Sequence, residues 1–334
     1  MSAGVFIGGI GAVSPAGWNV AALRDALAKN EPLLSQELSL SGNERGFRVL
    51  RVPPPNPRPS FLTHPRLRRT SPITQFTLSA ALEALGPRDE KSNSRLGVIV
   101  CVLSGCVNYT RRFYDETLKD PTTASPLVFP ETVFNAPASH LSAYLGSSAI
   151  NYTLVGDCGT FLMGMATGAN WLLQGKVDEC LVVGAEEVDW LTADALRLFD
   201  RGKVLSEGAG AVLLNRTSGV RLDAITDEHL FCTTGKFEAL RRMKDELRSS
   251  GSAELLADSF SGDIRISSEE GQLWADWSGP RISIKRVLGE GLMAGAAWQT
   301  VAAADAIISR TVPKATVSIA GLHQHAIGAL LSTP

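Results

Sequence analysis

Residues 159–174, GTFLMGMATGANWLLQ, form a stretch that is apolar nearly all round and crowded with small side chains. A helix without a polar face is stable only where other elements cover every side of it. This segment therefore predicts a helix at the centre of a layered domain, and its neighbours fit that setting. Residues 151–155 (NYTLV) precede it, Gly175 stops it, and residues 179–184 (ECLVVG) follow. Residues 95–103 (RLGVIVCVL) and 151–155 suit strands covered on both faces, as in parallel sheets flanked by helices, and 179–184 supplies a further strand. Glu186 and Glu187 stand as polar residues where the 179–184 strand ends.

The same alternation runs through the rest of the chain. Residues 4–10 (GVFIGGI) predict a first buried strand, and the i, i+3, i+4, i+7 spacing in 18–29 (WNVAALRDALAK) predicts a helix after it. The Pro-rich stretch 52–59 and a basic segment ending at Arg69 read as surface loop, followed by a helix over 73–85. Further on, the pattern predicts strands at 208–215, 220–224, 281–285 and 315–320, a charged helix at 236–249 and an apolar helix at 294–308. Two comparable halves, 1–215 and 216–334, each built of strands alternating with helices, imply two packed α/β layers with a shared centre. A chain of 334 residues can bury that much core.

Composition removes several classes of function. With 32 basic and 34 acidic residues and a formal charge of -2, no segment gathers the Lys, Arg and aromatic residues of a nucleic-acid surface. The apolar N-terminal stretch lacks a basic n-region and is broken by glycines and Pro15, so no signal or membrane span is expected and the location expected is the cytoplasm. The five cysteines (Cys101, Cys106, Cys158, Cys180, Cys232) are odd in number and show no CxxC spacing, which predicts neither a disulfide framework nor a metal site. Without a Walker motif or a strand–GxGxxG–helix context, no cofactor is expected either.

Ordered motifs add a resemblance. Residues 135–187 carry NAPASHL, a strand, a cysteine opening a long buried helix, and VVGAEE; residues 199–214 read FDRGKVLSEGAGAVLL; and AGLHQHAIGALL lies near the C-terminus. With the opening GIGAVSPAGWNVAALRDAL, these segments resemble the β-ketoacyl synthases of fatty-acid and polyketide synthesis, over nearly the whole chain. The resemblance implies the thiolase fold, an α/β five-layered αβαβα sandwich of two similar halves. It also implies a dimer, as homodimer or as heterodimer with a ketosynthase, and acyl carrier protein as partner.

The resemblance selects Cys158 as the acyl-accepting nucleophile, at a helix start where unpaired amides and the helix dipole favour a thiolate. It places the oxyanion hole at the backbone amides of Cys158 and Leu322. In the family, two histidines stabilise the enolate of the condensation step, and neither stands here. Lys285 is kept where the family has its lysine, Glu290 occupies one histidine position, and ADSFSG (257–262) lies near the other. His323 and His325, in the C-terminal loop, are candidates to replace them. His64, His140 and His229 read as structural or surface residues.

Two functions follow. The first is a non-condensing subunit similar to the chain-length factors of type II polyketide synthases, which dimerise with a ketosynthase and shape its acyl tunnel. The second is an acyltransferase or atypical 3-oxoacyl-carrier synthase that uses Cys158 with His323 or His325. A scaffold in which Cys158 merely packs is the third and blandest option.

Overall fold

In the computed structural model, the described residues are 4–39, 46–65, 67, 69–88, 93–199, 202–251, 253–263 and 268–334. The first half runs β1 (Phe6–Val13), α1 (Val20–Lys29), β2 (Gln36–Ser39), β3 (Gly46–Leu50), α2 (Pro72–Leu85), β4 (Leu96–Val102), α3 (Val107–Lys119), α4 (Ala136–Leu145), β5 (Asn151–Val155), α5 (Thr160–Leu173), β6 (Glu179–Glu186), α6 (Trp190–Phe199), β7 (Leu205–Ser206) and β8 (Gly208–Asn215). The second half runs β9 (Val220–Ile225), β10 (His229–Leu230), α7 (Phe231–Thr234), α8 (Lys236–Ser250), β11 (Leu255–Asp258), α9 (Ser268–Leu273), β12 (Arg281–Ser283), α10 (Ile284–Leu288), α11 (Leu292–Ile308), β13 (Lys314–Ala320) and β14 (His325–Ser332).

The main strands lie in the order β12-β11-β13-β14-β9-β1-β8-β6-β4-β5, and the path divides naturally at β9/β1, where only two residue pairs connect. Each side repeats one pattern. β5, β4 and β6 are parallel, β8 is antiparallel to β6, and β1 is antiparallel to β8. Likewise β12, β11 and β13 are parallel, β14 is antiparallel to β13, and β9 is antiparallel to β14. Helices α2 and α4 cover the outer face of the first sheet, α5 and α11 lie between the sheets, and α8 covers the second. This is the five-layered thiolase sandwich.

Side-chain periodicity explains the layering. In β4, Val98, Val100 and Val102 face the cluster under α2, whereas Ile99 and Cys101 face the central cluster with Phe161, Met165 and Trp298, the two-residue alternation of a strand buried on both sides. The central helix α11 approaches the first sheet closely because Gly184 and Gly210 carry no side chain. A Cβ on either would lie 2.9 or 2.8 Å from the Ala297 Cβ. The Trp298 indole then donates to the carbonyls of Val13 and Ala209, both at 2.9 Å, tying a helix of the second half to two strands of the first.

Several expectations need correction. Residues 151–155 form a strand, but β5 lies at the end of the sheet and exposes Asn151, Tyr152 and Val155, so it is not covered on both faces. Helix α5 is enclosed along most of its length, yet its last turn exposes Asn170 and Leu173. The strand expected over 281–285 ends at Ser283, and Lys285 belongs to the short helix α10. The strand expected over 179–184 runs on to Glu186, and both Glu186 and Glu187 at its end are buried. Within the basic segment before Arg69, Arg66 and Arg68 lie outside the described residues.

Candidate active site

The site forms where β5 hands over to α5. Gly156, Asp157, Cys158 and Gly159 make this junction, and its carbonyls take the first amides of the helix: Thr160 N–H donates to Asp157 O at 2.8 Å, Phe161 to Cys158 O at 3.3 Å and Leu162 to Gly159 O at 3.0 Å. Asp157 is buried, and its carboxylate gathers four backbone donors. Oδ1 accepts from the N–H of Cys158 at 2.8 Å and of Leu322 at 2.9 Å; Oδ2 accepts from His323 at 3.0 Å and Gln324 at 2.9 Å. Burial works to raise the Asp157 pKa, but the four amides outweigh it and hold the group below the usual carboxylate range. Gly321 permits the approach, since a Cβ there would run into Oδ2.

The two amides assigned from the resemblance to an oxyanion hole, those of Cys158 and Leu322, thus converge on one oxygen atom. That atom belongs to Asp157. Sequence reasoning passed over this residue; the available signal was a carboxylate wedged between a strand and an apolar helix, next to amides in need of an acceptor.

Cys158 itself is buried. Burial raises its thiol pKa well above the ordinary value, the negative charges of Asp157 and Glu290 raise it further, and Lys285 and Lys203 pull the other way without prevailing. The helix-start position that would favour a thiolate is therefore countered by two carboxylates.

Beside it lies a buried ion cluster. Lys285 Nζ is 2.8 Å from Glu290 Oε2, and Lys203 Nζ reaches the same oxygen at 3.6 Å. Burial alone would discharge both partners of the closer pair. Their mutual attraction reverses that, lowering the Glu290 pKa and raising that of Lys285. Lys203 was not anticipated from sequence; it comes from the shortened FDRGKV segment, of which Asp200 and Arg201 lie outside the described residues. A cavity of about 280 Å³ adjoins the cluster, with Lys203, Ser259, Ser261, Glu270, Lys285 and Glu290 in its wall; Cys158 is not part of that wall.

The two C-terminal histidines part company. The His323 side chain is exposed, and its residue contributes to the site through its backbone N–H. His325 opens β14, is 3 % exposed, and sets its Nε2 so close to Gly159 that a Cβ there would collide with it. That Nε2 has no hydrogen-bond partner. The segment near the other expected histidine position is structural: Asp258 accepts from Ser283 Oγ at 2.7 Å and pairs with Arg281 at 3.0 Å, and Ser259 Oγ donates toward Gln299. His140 and His229 pair with Glu131 and Glu246. Among the described residues, no group of three or more His, Cys, Asp or Glu could hold a metal ion.

A duplicated five-strand pattern around two buried helices, with a cysteine at the start of one of them, defines a chain of the thiolase-fold ketosynthase class. The chain belongs to the beta-ketoacyl synthase family: the model of the family's N-terminal domain matches residues 3–219. Curated relatives include the beta-ketoacyl-[acyl-carrier-protein] synthase III of Prochlorococcus marinus (strain MIT 9313), 34 % identical over 97 residues, which are 28 % of this chain and 26 % of that protein. The synthase III of Rickettsia prowazekii (strain Madrid E) is 28 % identical over 116 residues, 33 % of this chain and 34 % of that one. The matched stretches thus span only about a quarter to a third of those relatives' length.

Solved structures extend the similarity of fold to the whole chain. The ishigamide ketosynthase/chain length factor superposes with a TM-score of 0.83 at 18 % identity, covering 99 % of both chains. A beta-ketoacyl synthase from Burkholderia phymatum STM815 gives 0.80 at 15 %, with 99 % of both chains covered. A ketosynthase in complex with its chain length factor from Xenorhabdus doucetiae gives 0.78 at 15 %, covering 99 % of this chain and 98 % of that one.

Proposed function

We propose that this protein is a non-condensing, chain-length-factor-like member of its family, which pairs with a ketosynthase and supplies wall to the tunnel that holds the growing acyl chain. The observation that carries the reading is the setting of Cys158: a buried thiol flanked by the carboxylates of Asp157 and Glu290, with both nearby lysines engaged by Glu290. A nucleophile needs its thiolate, and an enolate forming next to a carboxylate would be repelled. Strand β5 supports the pairing. It is the last strand of its sheet and presents an open backbone edge with Tyr152 51 % and Val155 53 % exposed, a surface that invites a strand from another chain. An acyl carrier protein would then meet the pair rather than this chain alone.

Co-expression with a ketosynthase of the same organism tests this directly. The expected result is a stable 1:1 complex whose product length shifts when residues of this chain are changed. A homodimer that ignores the ketosynthase would overturn it.

A second reading is an acyl-accepting enzyme in which His325 serves Cys158, favoured by the buried, unpartnered Nε2 beside Gly159. Intact-mass analysis after incubation with acyl carrier thioesters separates the two. The first predicts an unmodified chain; the second predicts an adduct that disappears in Cys158→Ala.

A further inference from the structure

The four amides around Asp157 have a geometry that is more specific than a helix start. They come from both halves of the molecule, one from the β5–α5 junction and three from the loop between β13 and β14. All point to one buried spot. Such convergence of backbone N–H groups is the construction by which proteins hold carboxylates, phosphates and developing oxyanions. A second group faces the same junction: the imidazole Nε2 of His325, buried and without a hydrogen-bond partner, lies against Gly159.

We propose that the amides of Cys158, Leu322, His323 and Gln324 form an anion site whose resident anion is the chain's own Asp157, and that removing this side chain leaves a site able to take a small carboxylate from solution. Asp157 acts as a plug. Its consequence for chemistry rests on the non-condensing reading given above. Acyl transfer to Cys158 would form a bond from Sγ to the thioester carbonyl carbon, break the bond from that carbon to the carrier's sulfur, and pass the Cys158 proton to the departing thiol. During that exchange the carbonyl oxygen carries negative charge and needs the amides of Cys158 and Leu322 as donors. Both already donate to Asp157 Oδ1, so an arriving carbonyl meets a carboxylate where it needs hydrogen-bond donors.

The test uses acetate as the probe. Melting temperatures of the wild-type protein and of Asp157→Ala are measured against sodium acetate, with sodium chloride at equal ionic strength as control. The plug predicts a lower starting melting temperature for Asp157→Ala and a saturable rise with acetate of roughly 2–4 °C beyond chloride; the wild-type protein shows no such rise. An acetate curve that matches chloride in the variant would overturn the anion site.

Should Asp157→Ala not fold, Asp157→Asn gives an independent measurement. Its amide group turns a donor toward the N–H groups of His323 and Gln324, so deuterium exchange at 322–324 accelerates; unchanged exchange would overturn the contact.

The chemical consequence is read separately, by comparing acylation of Cys158 by an acyl thioester with its alkylation by iodoacetamide in Asp157→Ala. Alkylation develops no oxyanion, so the plug predicts a gain in acylation on the order of 10-fold or more above the gain in alkylation. Equal gains would mean that Asp157 acts only on the thiol's charge and would overturn the plug's role in blocking acyl transfer. Acylation of the wild-type protein would overturn both the non-condensing reading and the block on acyl transfer that rests on it, whereas the anion site is decided by the acetate titration alone.

Discussion

At the scale of residues, the site is governed by burial and by four charged groups near one sulfur atom. Burial first, then Asp157 and Glu290, hold Cys158 in the thiol form, and the two lysines paired with Glu290 pull the other way without prevailing. Two outcomes follow for labelling. At pH 8, iodoacetamide modifies Cys232, the exposed cysteine, well before the buried Cys158, and peptide mass mapping over time checks the order. Substituting Glu290→Gln removes one of the two negative neighbours and speeds labelling of Cys158. It also leaves Lys285 buried without its counter-charge, which costs about 3–5 kcal/mol of stability in a denaturant titration. A loss of stability with unchanged labelling would mean that Glu290 has no influence on the thiol. Cys158 and Glu290 could be picked out from sequence because motif spacing marks them. Lys203 could not, and Asp157 offered only its place between a strand and an apolar helix, since the loop amides and the carboxylate that these two meet come from segments far away in the chain.

At the scale of elements, the buried end of β6 joins several pieces through acidic side chains. Glu186 accepts from the N–H groups of Leu103 and Ser104 just beyond β4, and Glu187 accepts from Ile73 at 3.0 Å and Asn108 at 2.8 Å, in the first turns of α2 and α3. Negative charge at helix starts is favourable, yet burial outweighs these bonds and pushes Glu186 up to about 8 and Glu187 up to about 7. Below about pH 4.5 both the folded and the unfolded chain hold these protons. As pH rises from there toward 8, the unfolded chain releases protons that the folded one retains, so the stability contributed by the two groups is lost across that window. Melting temperature measured from pH 5 to 8 is expected to fall, and the slope flattens in Glu186→Gln with Glu187→Gln. A double variant with the wild-type slope would assign the pH dependence elsewhere. The sequence placed these glutamates at a strand end, which is correct, but the end of this strand lies inside the molecule because α2 and α3 pack over it.

At the scale of the whole molecule, the duplicated sheets leave two free edges, β12 and β5. β5 combines an open edge with exposed Tyr152 and Val155, so a charge placed there by Tyr152→Asp is expected to weaken association with a second ketosynthase-type chain while leaving the melting temperature of the isolated subunit within a few degrees. Size-exclusion chromatography with light scattering checks the first part and calorimetry the second; an intact complex would move the interface away from β5. No helix among the described residues is long and apolar enough to cross a membrane. By itself the sequence determined the layered architecture and the central buried helix, because hydrophobic periodicity and a helix with no polar face are local properties that admit few packings. It also singled out Cys158, through the resemblance of ordered motifs. Only the tertiary structure decided what surrounds that cysteine: which of two nearby histidines turns inward, that Lys203 and Lys285 share Glu290, and that Asp157 occupies the amides of a loop 165 residues further along the chain. The physical reason is that hydrogen-bond partners and local charge depend on distances in space, and the segments that meet at this site come from opposite halves of the fold.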